Sequence, residues 1–437
     1  MKKMNYKEAV DFIEAVSWKG SVPGLSRISE LCRLLGNPER KVKYVHISGT
    51  NGKGSVSAVI SSVLTAAGYK TGLYTSPHLV NYTERFKING CDVSDDEFCR
   101  CVSKVKEKAV TMDDAPTEFE LLTAAAFVCF ADNGCDVAVL ECGMGGRLDA
   151  TNVIPSPLVS VITNVALDHT SVLGDTELKI AHEKAGIIKN APVVIGKVSK
   201  EVESYLLGVI GEKKLTCSLY YNANVENVSS DKSGISFDYH GIKMTLPLRG
   251  EYQKINLKTA ISAVELLKDQ GLDISDGDIE RGIASVRWIG RFEKLCGSPE
   301  IYFDGAHNPD GAIYTVETFK HLFPGRKAVV VTGVMADKNY SEIARMISGI
   351  ANVVFCVEPA NPRALGAPRL AEIYSDLGVS AFACDSVEHG VTSAAEVAER
   401  ESLPVLCVGS LYMYSDVYYA VKKISDKEGG ADEKNEN

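Results

Sequence analysis

Short apolar runs alternate with stretches of helical periodicity along most of the chain. The runs Val42–Ser48, Asp136–Glu141, Leu158–Thr163 and Pro192–Gly196 read as strands, as do Lys327–Val334, Val353–Glu358 and Pro404–Gly409. Helix-length segments such as Phe119–Asn133 and Tyr252–Asp269 lie between several of them. That rhythm predicts parallel sheets assembled from βαβ units. Residues 200–248 read differently, with short alternating pieces at Asn222–Asn227, Ser236–His240 and Lys243–Pro247. They predict a small antiparallel section closing the first domain. A charged helix, Asp276–Ser285, ends near Val286–Arg291, and the βα rhythm restarts after it to about Ser425.

A chain of 437 residues exceeds what one core usually holds, so two domains are expected. The expected division is 1–288, 289–425 and a polar, frayed tail at 426–437. The fold class that follows is α/β. The N-terminal domain carries a mostly parallel sheet flanked by helices, of P-loop ATPase type, and the smaller C-terminal domain is Rossmann-like.

Composition narrows the function classes. A net charge of −10, from 47 basic and 57 acidic residues with no basic block, argues against a nucleic-acid backbone as partner. An acidic chain that binds polyanions must do so in a local pocket. The N-terminal residues show no apolar signal core, and no run approaches the length of a membrane span. The 12 cysteines lack zinc-site spacing, and several (Cys135, Cys142, Cys356, Cys407) sit inside strand-like runs. Reduced, buried thiols in a cytoplasmic protein are the expectation.

The chemistry concentrates at strand ends. After Val42–Ser48 comes Gly49-Thr50-Asn51-Gly52-Lys53-Gly54-Ser55, then a helical stretch. A strand, a glycine-rich turn and a helix N-terminus make a polyphosphate cradle, with Lys53 against the β/γ-phosphates and Ser55 on Mg²⁺. The alternative is a plain tight turn before a helix, since Gly54 separates the lysine from the serine. Glu141 closes another strand and is placed to hold Mg²⁺, or else is a solvated strand-end carboxylate. Asp168-His169 follows the third strand, where His169 is a metal ligand or a loop histidine. Lys184 sits on a helix ended by Gly186, either complementing the helix dipole or, if buried and neutral, taking up CO₂ as a carbamate. In the second half, Asp304 and His307 lie in a Gly/Pro turn that either is only a turn or meets a nucleotide's ribose and phosphate. Arg291 is a candidate clamp on a transferring phosphoryl group.

Gly49–Ser55 resembles the ATP loop of the Mur ligase superfamily of amide-bond ligases. Seven further motifs occur in order: Thr75-Ser-Pro-His-Leu79, Glu84-Arg-Phe-Lys-Ile-Asn-Gly90, Glu141–Asn152, Asp168-His169, Glu183–Ile187, Gly290–Glu293 and Asp304–Pro309. Together they resemble the folylpolyglutamate synthase/dihydrofolate synthase family over nearly the whole chain. The resemblance implies ATP as cofactor, with Ser55 and Glu141 on one Mg²⁺, and His169 with a carbamylated Lys184 on a second. It implies that Ser76, Pro77 and His78 line the folate or pteroate site, with Phe119, Arg147 and Asp149 beside the pterin, and that Asn256 meets ATP. The chain departs from the family's His-Gln-x-x-Asn-Ala element at Tyr252 and Leu257. The implied reaction phosphorylates a substrate carboxylate, and the amine of L-glutamate then displaces phosphate. Lys53 and Arg291 offset charge and His307 assists. The substrate is dihydropteroate, a folate already bearing glutamate, or both, and the expected state is a monomer. The competing readings are a monofunctional folylpolyglutamate synthase, a muropeptide ligase of the same superfamily, and a P-loop kinase or switch.

Overall fold

The computed structural model describes residues 4–20 and 22–432. The chain folds as two compact units. Among the described residues, unit 1 comprises 4–20, 22–228, 236–247 and 253–287, and unit 2 comprises 229–235, 248–252 and 288–432.

Unit 1 opens with α1 (Tyr6–Glu14) and α2 (Ser26–Leu34). It continues β1 (Lys43–Ser48), α3 (Lys53–Ala66), β2 (Thr71–Tyr74), β3 (Phe86–Ile88), β4 (Cys91–Asp92), α4 (Asp95–Ala109) and α5 (Glu118–Asp132). Then come β5 (Val137–Glu141), β6 (Val159–Asn164), α6 (Thr170–Leu173), α7 (Glu177–Ala185), β7 (Val193–Lys197), α8 (Lys200–Glu212) and β8 (Cys217–Leu219). The last elements are β9 (Val225–Asp231), β10 (Gly234–Tyr239), β11 (Ile242–Leu246), α9 (Glu251–Asp269) and α10 (Asp276–Ala284), with the end of β9, the start of β10 and the first two residues of α9 belonging to unit 2.

The main sheet runs β4-β3-β2-β5-β1-β6-β7-β8, parallel except at its β3/β4 edge. Its central strands β1, β5 and β6 are buried on both faces apart from their ends, as the near-continuous apolar runs require. The register Ile47↔Glu141 sets the end of β5 beside the loop that follows β1. Ligands of open α/β sheets bind at these carboxyl ends. The expected antiparallel section is present as the separate sheet β11-β10-β9.

Sequence patterning missed several elements of this unit. Strand β2 has only four residues, all buried, and Gly72 in it lets the Phe130 ring lie within 2.8 Å of where a Cβ would stand. So short a run carries no period to read. Helices α4 and α5 cover this side of the sheet in a core that includes Phe98, Val102, Phe127 and Phe130.

Unit 2 contains β12 (Glu293–Gly297), β13 (Glu300–Asp304), α11 (Pro309–Leu322), β14 (Ala328–Thr332), α12 (Tyr340–Ser348) and β15 (Ala351–Cys356). It ends with α13 (Ala367–Asp376), β16 (Ser380–Ala383), α14 (Val387–Glu401), β17 (Val405–Val408) and α15 (Tyr414–Asp432). The sheet order is β12-β13-β17-β14-β15-β16, parallel except for the β12/β13 hairpin. The expected tail from 426 is helical as far as Asp432, and 433–437 lie outside the described residues.

Candidate active site

The loop after β1 has the backbone that its glycines allow. Gly52 has φ +82°, and a Cβ there would stand 2.4 Å from Asn256 Oδ1. Gly49 is closed in as tightly, with Thr163 Oγ1 1.9 Å from the position of a Cβ. Gly52 is also the N-cap of α3 and has no side chain to cap it, so the first N–H groups of that helix are presented to a ligand.

The end of β6 fixes the loop. Asn164 Oδ1 accepts from Thr50 N (3.1 Å) and Asn51 N (2.6 Å), and Thr163 Oγ1 donates to Asn51 O at 2.6 Å. Lys53 Nζ donates back to Gly49 O (3.1 Å) and Thr50 O (3.2 Å), which holds the ammonium over the loop. Ser55 is buried and accepts from Gln253 Nε2 at 3.1 Å. Gln253 Oε1 in turn accepts from Asn256 Nδ2 at 2.8 Å, so α9 braces both the serine and Gly52. The family resemblance implies Asn256 as an ATP contact, whereas the bracing role of Gln253 shows only in the fold.

Glu141 is buried at the tip of β5, and Ser76 N donates to its Oε2 at 3.3 Å. This contact brings the Thr75–Leu79 loop to the metal candidate. Ser55 and Glu141 thus offer oxygen donors at the ends of neighbouring structural elements, the donor type that suits Mg²⁺.

Lys184 is only 2% exposed, and its pKa is lowered to about 7 by burial first and by the Lys53 charge second. Asp168 and Asp149 act in the opposite direction. The lysine is presented by a close approach of α7 to the loop after β5. A Cβ on Gly186 would lie 2.3 Å from Arg147 Cα, and Arg147 N donates to Glu183 O at 2.7 Å. His169 is exposed, with φ +49°, and its backbone N–H is held by Asp168 Oδ1 at 2.8 Å.

The expected pterin neighbours fall into two groups. Phe119 stands over Gly143, whose Cβ position lies 2.7 Å from the ring. Ser76, Pro77 and His78 form a loop with a cis Ser76–Pro77 bond. Arg85 Nε donates to His78 Nδ1 at 2.9 Å, and burial, then the Arg85 charge, pushes His78 down to about 3. Glu84 ties the loop by accepting from Leu79 N (2.8 Å), Val80 N (2.9 Å) and Asn81 N (2.7 Å). Arg147 and Asp149, in contrast, are engaged within the protein, Arg147 by α7 and Asp149 by its own loop. Arg147 pairs with Glu183 at 2.8 Å, and Asp149 accepts from Met144 N and from Thr151 N and Oγ1. Burial nevertheless raises the Asp149 pKa.

His46 carried no expectation, because it hides in an apolar strand. It is fully buried, 2.8 Å from Thr151 Oγ1 and 3.2 Å from Cys142 Sγ, and burial lowers its pKa to about 3.

In unit 2, Asp304 closes β13 and is buried. Its Oδ2 accepts from Tyr252 Oη (2.8 Å) and Phe292 N (2.9 Å), and its Oδ1 from Ala306 N (2.9 Å) and Thr315 Oγ1 (2.9 Å). Four donors fill the acceptor sites of a carboxylate. A ribose hydroxyl would have to add to that set or displace one of its members. His307 Nδ1 donates to Gly305 O at 2.9 Å. Arg291 NH1 donates to Gly290 O at 3.0 Å and packs against Gly305, whose Cβ position it approaches to 2.5 Å.

The chain is similar to known proteins over most of its length. Residues 47–264 match the Mur ligase middle domain, and residues 290–411 match the glutamate ligase domain of Mur ligases. The chain is 33% identical over 432 residues to the dihydrofolate synthase/folylpolyglutamate synthase of Bacillus subtilis (strain 168), covering 95% of this chain and 99% of that one. It is 35% identical over 432 residues to the folylpolyglutamate synthase of Lacticaseibacillus casei, covering 95% and 98%. Among solved structures, Mycobacterium tuberculosis folylpolyglutamate synthase complexed with ADP and AMPPCP matches with a TM-score of 0.87 at 30% identity, over 96% of this chain and 98% of that one. E. coli FolC in complex with DHPP and ADP matches with a TM-score of 0.84 at 30% identity, over 97% and 99%.

Proposed function

This chain belongs to the dihydrofolate synthase/folylpolyglutamate synthase family of Mur ligases, and from that premise we propose how its residues divide the work. It is an ATP-dependent carboxylate–amine ligase that adds L-glutamate to folate-type substrates. Our reading is that it acts on both dihydropteroate and folates already bearing glutamate, as a cytoplasmic monomer. None of the described helices is long and apolar enough to cross a membrane.

A carboxylate is a poor electrophile, so its oxygen first attacks the γ-phosphorus of ATP and ADP leaves. The amine nitrogen of glutamate then attacks the acyl phosphate carbon, the C–O bond to phosphate breaks, and the amine loses a proton to solvent. The chain's task is charge compensation and alignment. The loop N–H groups and Lys53 hold the β/γ-phosphates. Ser55 and Glu141 are the proposed ligands of one Mg²⁺, and His169 with carbamylated Lys184 those of a second. Bound there, Mg²⁺ neutralises phosphate oxygens.

Lys184 suits the carbamate because a pKa of about 7 leaves about half of its amine neutral at neutral pH. When that nitrogen bonds to CO₂, one proton goes to solvent and a carboxylate-like donor results. Phe119, Ser76, Pro77 and His78 are assigned to the pterin and pteroate moiety, with Arg147 and Asp149 shaping the loop beneath it. In unit 2, Arg291 and His307 are the proposed contributors to the transferring phosphoryl group, and Asp304 sets the loop that carries His307.

What supports this reading is the burial of Ser55, Glu141 and Lys184, with the Lys53 charge acting on Lys184, together with a glycine loop at the N-terminus of α3. A substrate panel with labelled glutamate tests it. Glutamate-dependent ADP formation with both dihydropteroate and tetrahydrofolate supports two activities. Turnover with tetrahydrofolate alone points to the single activity named for the L. casei relative. ADP formation that ignores glutamate, or needs a muropeptide, would sink the assignment.

A further inference from the structure

A cluster of soft ligands stands apart from the phosphate site, between α4 and α5. Glu97 and Cys101 are four residues apart on α4 and therefore lie on one face, a turn apart. Cys129 projects from α5, the neighbouring helix of the same core. One carboxylate oxygen and the two sulfurs all lie within 4.8 Å of one another, and Cys101 Sγ is 3.9 Å from Glu97 Oε1. Tetrahedral zinc with thiolate and carboxylate ligands spaces its donor atoms by about 3.5–3.8 Å. Contraction by up to about 1.3 Å would therefore enclose an ion.

The carboxylate of Glu97 is held in place by its neighbours, and Arg100 would share it with an ion. Arg100 Nε donates to Glu97 Oε2 at 3.0 Å, with a second guanidinium contact to Oε1. Asn133 Nδ2 donates to Glu97 Oε1 at 2.5 Å and stands 3.9 Å from Cys129 Sγ. Outer partners of this kind orient ligands. Two thiolates and Glu97, set against Arg100, leave two net negative charges, which a divalent cation neutralises. Nearby Asp132 is offset by Lys104 at 2.6 Å. Both cysteines are 1% exposed, whereas the Glu97 side chain is 24% exposed, which gives an entry route and room for a water as fourth ligand.

We propose that Glu97, Cys101 and Cys129 form a binding site for a soft divalent cation of the zinc class, joining α4 to α5. Binding breaks two S–H bonds, forms two metal–sulfur bonds and releases two protons to the buffer. The site is separate from the glutamate-ligation machinery.

The test is cadmium titration of the reduced full-length chain, read by thiolate-to-cadmium charge-transfer absorbance, in a Cys91→Ser background that removes an exposed thiol. Saturation at one equivalent, reversed by excess zinc, is expected. The band should vanish in the Cys101→Ser/Cys129→Ser variant, and affinity should fall by about tenfold or more in Glu97→Gln. Glutamate ligation should stay unchanged in both. The proposal is overturned by the absence of a one-equivalent band, or by a band that survives the double substitution. If the double variant does not fold, X-ray absorption of the zinc-loaded parent decides. Two sulfur ligands support the site, and an all-oxygen/nitrogen shell refutes it.

Discussion

Replacing Gly186 by Ala should disable the enzyme from a position that no substrate needs to touch. Gly186 has an ordinary helical backbone, φ −60° and ψ −16°, so alanine there suffers no conformational strain. The cost is steric. The added Cβ would stand 2.3 Å from Arg147 Cα and Cβ and 2.7 Å from Arg147 N, where ordinary contact begins near 3.4 Å. Backbone cannot rotate aside, so α7 and the loop after β5 must separate by about 1 Å. That shift stretches the 2.7 Å bond from Arg147 N to Glu183 O and the 3.1 Å bond from Asn152 Nδ2 to Gly186 O. Overpacking plus two weakened bonds amounts to about 2–4 kcal/mol. Lys184 moves with the helix, and a displacement of about 1 Å at a catalytic group costs about 100-fold in turnover. The assay pairs denaturant unfolding with kcat for glutamate-dependent ADP release. Gly208→Ala is the control, because Gly208 lies exposed in α8 with nothing within 4 Å of a Cβ, and alanine there should stabilise the helix by up to about 1 kcal/mol. A folded Gly186→Ala enzyme with parental kcat would refute the claim that this close approach positions Lys184.

The other substitutions probe single groups. Glu141→Gln keeps the shape and removes the charge, so activity should fall by at least about 100-fold with an unchanged melting temperature, and near-normal turnover in saturating Mg²⁺ would exclude Glu141 as a ligand. Lys184→Ala should be nearly inactive and partly rescued by a short carboxylic acid; the absence of rescue would count against the carbamate. Between about pH 7 and the ordinary lysine value of 10.5, unfolded chains bind more protons at Lys184 than folded ones, so folding stability rises with pH through that window. In CO₂-free buffer Lys184→Met should therefore be more stable than the parent near pH 6, by about 3–5 kcal/mol, with the gain shrinking towards pH 10; a pH-independent difference would contradict the depressed pKa. Asp304→Asn turns an NH₂ towards a backbone N–H, from either Phe292 or Ala306, and should cost about 2–4 kcal/mol by denaturant titration, whereas unaltered stability would show the carboxylate is not the keystone of its loop.

Much of this was legible in the sequence because the site is built where strands end. The β1, β5 and β6 tips announce themselves as an apolar run breaking into Gly, Glu or Asn, and the strand reading located them within a residue or two. What stayed hidden depends on contacts between distant segments. Gln253 reads as an ordinary helical glutamine until α9 lies against Ser55, and Lys184 reads as a last-turn lysine until burial shifts it. Asp304 reads from its turn as either a plain turn residue or a ribose contact, and its four donors, from Tyr252, Phe292, Ala306 and Thr315, show only in the fold. The Glu97, Cys101 and Cys129 cluster has the same character. Spacing joins the first two, and only helix packing supplies the third.

The central claim is that ATP is spent on activating a substrate carboxylate for glutamate. Single-turnover reaction with dihydropteroate carrying oxygen-18 in its carboxylate tests this directly, because the acyl phosphate passes one carboxylate oxygen to phosphate. The account predicts one labelled oxygen in inorganic phosphate for each amide formed, with none released as phosphate when glutamate is withheld. Amide formation with unlabelled phosphate would contradict it.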